Sequence, residues 1–369
     1  MNVLRRLPLS RLLLACGVVV ALGASLTALA SALGSGPTPG PASLADAVHG
    51  ALTAPQVEGF SARVKLSNHL IEGSELASGS NGEAGQLAKS PLLSGASGRI
   101  WIAKDGRARL ELQSEKGDTE VYYDGHTVTL FDASTNTVYH YVVPAEGGST
   151  PPEAPGAHHE VPSVAKIEEA IAKLKKHVNV SGATAGDVAG QPTYTVRVSP
   201  NEGGSLIGGA ELAWDANNGI PLRAAVYSTT SATPVIELAA TEEVSFGPVE
   251  ASVFEFKPPA GVKVNEVKLP EKSASSTSKP SADGSSHPTV THHGTGISGV
   301  AVVEDKHAGA QKTSSSLPEG LPKVKINGVT ATELPTALGT LLTFERSGVR
   351  YLLGGFVAPK AVEEVARGL

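Results

Sequence analysis

The stretch IWIAKDGRARLELQSEKGDTEVYYDGHTVTL, residues 100–130, contains Asp-Gly twice, at 105–106 and 124–125, each time between alternating apolar and polar residues. Asp-Gly between such runs is the strongest short-range hairpin signal, because both residues tolerate the positive φ of a tight turn. With Asp105-Gly106 as a two-residue turn, Trp101 opposes Leu110 and Leu112 continues that face. With Asp124-Gly125 as a second, Val121 faces Val128 and Leu130 follows. Both hairpins then carry one mainly apolar face, and such a face has to be covered by helices or by the sheet's own curvature.

Working outward, the same period of two runs through Gly59–Ser67, where Phe60, Ala62, Val64 and Leu66 alternate with Ser61, Arg63, Lys65 and Ser67. Before it, LADAVHGAL spaces Leu44, Val48 and Leu52 at helical intervals. Residues 72–98 are rich in Gly, Ser and Ala and read as a long flexible loop. The segment VPSVAKIEEAIAKLKKHV, 161–178, is an amphipathic helix whose stripe is Val164, Ile167, Ile171, Leu174 and Val178, with Ser163 as its cap. Further strands follow at 192–200, 210–228, 234–247 and 254–264. Few helices and many antiparallel strands make this an α+β chain, and the order of elements argues against a parallel sheet.

Residues 270–294 are almost free of large apolar groups, so 269–293 reads as a disordered linker. After it, GISGVAVVED is a strand and TLLTFERSGVRYLLGGFV a hairpin. With Ser347-Gly348 as its turn, Glu345 pairs with Arg350, Phe344 with Tyr351 and Leu342 with Leu353. The chain closes with a helix whose stripe is Val362, Val365, Ala366 and Leu369. The organisation expected is therefore a leader at 1–33, a linker at 34–43, a main domain at 44–268, the linker 269–293 and a small α+β domain at 294–369.

The leader is basic at Arg5, Arg6 and Arg11 and then uncharged from Leu12 to Gly34. It reads as a cleaved secretory signal, a retained anchor or, at Leu13-Leu14-Ala15-Cys16, a lipidated cysteine. Each version places the remainder outside the cytoplasm, secreted or held at the outer face of the cytoplasmic membrane. Of 369 residues only Cys16 is a cysteine, which excludes a disulfide framework and a thiolate metal cage. A net charge of −6 gives no general attraction to nucleic acid.

In order along the chain, YYDGHTVTLFDASTNTVYHYVVP, GQPTYTVRVSP, LAWDANNGIPLRAAVY and FGPVEASVFEFKPPAGVKV resemble the recurrent elements of the LolA-like superfamily: DG-x-x-V-x-x-[YF]D, G-x-x-x-Y-x-[LV], D-x-x-[ST]G-x-P and F-x-F-x-[PI]P-x-G. The closing GVRYLLGGFVAPKAVEEVARGL is similar to the small domain that follows such modules in the RseB type. The resemblance implies an unclosed antiparallel β half-barrel with a helical lid round an apolar cavity, and no enzymatic activity or cofactor. It implies as ligand a lipid or acylated protein. It also admits an envelope-stress sensor whose small domain grips a membrane anti-sigma factor. The cavity lining expected is Phe60, Val64, Leu66, Trp101, Leu110, Leu112, Val121, Val128 and Leu130, with Ile167, Ile171 and Leu174 from the lid.

Other chemistry finds no support. Gly294-Thr295-Gly296-Ile297-Ser298-Gly299 fits G-x-G-x-x-G, but a strand follows it where a dinucleotide site needs a helix. His158-His159 and His292-His293 lie in polar linkers, which fix no metal-ligand geometry. Glu168-Glu169 and Glu363-Glu364 point about 100° apart on helices. Asp124 and Asp215 are turn formers. No nucleophile and base converge, which leaves an exported hydrolase as the third reading.

Overall fold

The computed structural model describes residues 36–71, 90–115, 117–143, 161–266, 289–305, 317 and 321–369. The leader with Cys16, His158-His159, residues 72–89 of the Gly/Ser loop and most of the 269–293 linker lie outside them. Among the described residues no helix is long and apolar enough to cross a membrane. Two compact units are present. The first takes in described residues up to Leu70, from Ser90 to Gly203 and from Ile207 to Asn265, and the second takes Ile71, Gly204–Leu206 and those from Glu266 onward.

In chain order the first unit consists of α1 (Leu44–Thr53), β1 (Gly59–Asn68), α2 (Pro91–Ser94), β2 (Ala96–Ala103), β3 (Ala108–Ser114), β4 (Gly117–Tyr123), β5 (Thr127–Asp132) and β6 (Thr137–Val142). Then come α3 (Val164–Leu174), β7 (Val178–Val180), β8 (Thr184–Val188), β9 (Gln191–Pro200), β10 (Ile207–Asp215), β11 (Pro221–Ser228), β12 (Pro234–Ser245) and β13 (Lys263–Glu266). The strands make one unclosed sheet in the order β13-β6-β5-β4-β3-β2-β1-β12-β11-β10-β9-β7, with β8 beside β9. Two antiparallel meanders, β1–β6 and β9–β12, join where β12 pairs with β1. The α+β class read from the sequence is the one observed.

Both Asp-Gly loops are longer than a two-residue turn. At the first, Ala103 N–H donates to the Arg107 carbonyl and Gly106 N–H to the Ala103 carbonyl, a three-residue loop with Gly106 at φ 94°. Ile100 therefore opposes Leu110, and Trp101 opposes Arg109. That one-residue slip moves Trp101 off the apolar face, which corrects the sequence expectation. At the second, Asp124 Oδ1 accepts from the N–H groups of His126 and Thr127, and Val121 opposes Leu130 instead of Val128. A slip of two residues leaves every side chain on its expected face. Two other expectations change as well. Residues 90–98 form α2 and the start of β2 instead of loop, and 254–262 lie outside any strand, so only β13 follows them.

The resulting ladder, Ala62–Ile100–Leu110–Val121–Leu130–Tyr139, crosses six strands on one face. Its core end is closed by Phe60, Ala62, Ile220, Leu222 and Ala240, and by Val64, Leu66 and Leu112 beside them. Gly98 pairs with both Val64 and Leu112, and a Cβ there would run into the Glu111 carbonyl. The two strands approach this closely only because Gly98 has no side chain.

Behind β9–β12 the opposite face is charged. Glu211 accepts hydrogen bonds from Arg197 (2.8 Å), Arg223 (2.9 Å) and the Tyr227 hydroxyl (2.7 Å), while Arg223 also bonds Glu237. Burial pushes the Glu211 carboxyl up, but its donors outweigh this and hold it below the ordinary value.

The second unit contains β14 (Thr289–His293), β15 (Val300–Asp305), β16 (Lys323–Ile326), β17 (Val329–Pro335), β18 (Thr340–Arg346), β19 (Val349–Gly355) and α4 (Pro359–Arg367). Its sheet order is β14-β15-β19-β18-β17-β16. The Ser347-Gly348 hairpin has the expected register, with Phe344 stacked on Tyr351 at 4.9 Å between ring centres. Val362 and Ala366 of α4 are buried in a core with Val302, Leu342 and Leu353. His292 and His293, expected in a linker, instead form part of the edge strand β14. Glu333 faces this interior, 5% exposed, with Oε1 unpartnered. Burial and then the neighbouring Glu363 raise its carboxyl above the usual range.

Two stability tests follow from the first unit. Gly98→Val is expected to cost about 1–3 kcal/mol, the scale of overpacking, in a urea midpoint, with Ser97→Ala within about 0.5 kcal/mol of wild type; an unchanged Gly98→Val midpoint would contradict the close approach. Because the folded pKa of Glu211 is depressed, its contribution is complete above the unfolded value of about 4.3 and is lost as pH falls through the folded one. Midpoints measured between pH 7 and pH 2 should therefore fall on the acid side, and Glu211→Gln should flatten that limb while costing roughly 2–3 kcal/mol at pH 7, below the ~3–5 of a fully buried pair.

Candidate binding face

The apolar face of the first unit changes character along the sheet. At β1 its side chains are buried among their neighbours: Phe60, Val64 and Leu66 are core residues and Leu112 in β3 is 0% exposed, with Ile100, Ile102, Ile236 and Leu238 half-buried beside them. Toward β6 the same face continues with Leu110, Val121, Val128 and Leu130, all only half-buried, to Tyr139, 36% exposed. Cross-strand pairing fixes these residues side by side, Val121 opposite Leu130 and Leu110 opposite Val121. The result is an apolar stripe that the described residues cover incompletely.

Helix α3 starts at Val164 because Ser163 Oγ accepts from Lys166 N–H. It packs against α1, and His49 Nδ1 lies 3.0 Å from the Pro162 carbonyl oxygen at its entry. Ile167 is buried, whereas Ile171 and Leu174 are half-buried. The helix stops before Val178, which opens β7, so Val178 is not part of the helical stripe.

Of the twelve residues expected to line a cavity, Phe60, Val64, Leu66, Leu112 and Ile167 are thus taken up in the protein's own packing. Leu110, Val121, Val128 and Leu130 share the partly open stripe, and Trp101 points to the other face. There Arg109 lies over Trp101 (5.3 Å) and Tyr122 (5.1 Å) and pairs with Glu111 and Glu120 at 3.2 Å. Burial first, then its hydrogen bond to Glu120, pushes the Tyr122 hydroxyl above the usual phenol range. Phe256 closes on Tyr122 at 5.3 Å and on Phe131 at 6.0 Å. Sequence reading missed this layer of arginine, carboxylate and aromatic groups. Its one available signal was the alternation of Arg99, Trp101, Arg109 and Glu111 out of phase with the isoleucines.

Polar chemistry is sparse elsewhere. Asp124 and Asp215 serve their turns, Asp215 Oδ1 accepting from the N–H groups of Asn217 and Asn218. Among the described residues no three His, Cys, Asp or Glu side chains converge as metal ligands would.

Residues 82–150 match a family model, DUF2092, described as a predicted periplasmic protein. No curated protein matches the chain significantly. Among solved structures, the chain is similar to the Pseudomonas aeruginosa MucA/MucB complex at 15% identity, covering 88% of this chain and 96% of that one, with a TM-score of 0.42. An uncharacterized conserved protein from Thermus thermophilus is similar at 9% identity over 60% and 98% of the two chains, with a TM-score of 0.35. A LolA superfamily protein from Nitrosomonas europaea is similar at 7% over 85% and 91%, with a TM-score of 0.20.

Proposed function

We propose that this is an extracytoplasmic, non-enzymatic binding protein that takes up a lipid, or the acyl chain of an acylated protein, along the half-buried stripe of its first unit. The observation that supports this most is that stripe itself: among the described residues Leu110, Val121, Val128 and Leu130 are covered only by half, beside the core of Val64, Leu66 and Leu112. Covering it with hydrocarbon gains about 0.8 kcal/mol per buried methylene and needs no covalent chemistry. Ile171 and Leu174 on α3 supply the lid side of the site. The basic, apolar leader would deliver the protein across the cytoplasmic membrane and, if retained or lipidated at Cys16, keep it at the outer face.

A second reading rests on the second unit. Its hairpin and helix, Gly348–Leu369, carry the resemblance to the RseB type and fold round their own core. In that reading the unit holds a membrane anti-sigma factor, and ligand on the first unit changes the grip.

A fluorescent fatty acid titrated into the purified protein should be taken up saturably. The double variant Val121→Glu, Leu130→Glu should weaken uptake at least about tenfold, or about 1.4 kcal/mol, while keeping a cooperative urea transition. Failure of the wild type to take up the probe, or unchanged uptake in the double variant, would reject the acyl site.

A further inference from the structure

We propose that the opposite, charged face of the same sheet carries a second site, for a neutral saccharide. It is independent of the acyl reading, since none of its side chains belongs to the apolar stripe.

A depression of about 650 Å³ lies over Gly98, within the range of roughly 300–1,000 Å³ typical of ligand pockets. Backbone features shape it. The β1–β12 pairing shifts register on both sides of Arg63. A bulge of this kind re-aims side chains and is frequent beside binding sites. Glu243 adopts a left-handed conformation, φ 53°, that a non-glycine residue rarely takes. From there its carboxylate receives Arg63 Nε at 2.7 Å and the Arg99 guanidinium as well. Such strain persists where the surroundings hold it in place, commonly at ligand clamps.

The wall chemistry selects the ligand. Two arginines, Arg63 and Arg99, face two carboxylates, Glu111 and Glu242, with Gln113 and the half-exposed Trp101 between them. With Glu243 the carboxylates number three against two arginines, and both arginines are already bonded to Glu243. An anion would therefore compete with an existing carboxylate, and a hydrocarbon would desolvate these charges without compensation. Glu111 already accepts from Gln113 at 3.1 Å and from Arg109 at 3.2 Å, so a sugar, whose hydroxyls both donate and accept, adds to the remaining lone pairs of Glu111 and Glu242 and the remaining N–H groups of Gln113 and Arg99, with its C–H groups beside the indole. Arg99 at 5.8 Å and Arg109 at 5.3 Å from the Trp101 ring hold that indole in place beforehand.

Tryptophan fluorescence tests this directly. The chain has two tryptophans, and Trp214 is 5% exposed in β10, packed against Tyr194. Titration of the intact protein with chitotriose or maltotriose should shift the emission saturably in the millimolar range or below. Gln113→Ala, a change at an exposed position, should weaken that response at least fivefold and leave fatty-acid uptake unchanged. No shift with either saccharide overturns the proposal, and so does an equal response in Gln113→Ala. Inorganic phosphate producing the shift where the saccharides do not would make this an anion site and equally overturn it.

Discussion

Two-residue alternation, carried unbroken from strand to strand by antiparallel pairing, is the constraint on which the first unit rests. Each cross-strand partner passes its orientation to the next, so the choice made at Ile100 fixes Leu110, Val121, Leu130 and Tyr139 in turn. One face becomes continuously apolar and the other collects the arginines and carboxylates. The loop at Lys104-Asp105-Gly106 yields to this demand: it takes an extra residue so that isoleucine instead of tryptophan joins the core side. Burial of the isoleucines across several strands outweighs the preference of Asp-Gly for a two-residue turn.

Separation of the faces gives the sheet two different kinds of surface from one set of strands. The charged side is not loosely solvated. Arg109 is held by two glutamates and two aromatic rings, and Glu211 by three donors, so these side chains brace neighbouring strands. A sheet stiffened from behind resists bending over the stripe that the described residues leave half-buried, because closing on it would break those bonds. The half-buried stripe is then a property of the whole sheet, and not a local packing fault.

Much of this was legible in the sequence, and where reading failed the reasons are physical. The Ser347-Gly348 hairpin came out to the residue because three signals agreed: a turn dipeptide, an opposite-charge pair and an aromatic pair. Helix α3 was visible from its stripe and its Ser163 cap. The Asp-Gly turn signal alone puts Trp101 on the wrong face, because the phase of Ile100 and Ile102 outweighs it. Asn327-Gly328, with φ values of 47° and 87°, turns the β16–β17 hairpin and was overlooked despite being as strong a signal as Asp-Gly. The open stripe was only half readable. Alternation marks which residues share a face, but how completely that face is covered depends on elements far away in the chain.

Glu333 has a consequence for how the protein responds to its surroundings. With its carboxyl raised, its unit is stabilised fully below the unfolded value and loses that contribution as pH rises through the folded one. Glu211, with its carboxyl depressed, gives the first unit the opposite slope. These two carboxyls thus contribute in contrary senses: acidification removes what Glu211 gives the first unit and adds what Glu333 gives the second, like the two ends of a seesaw.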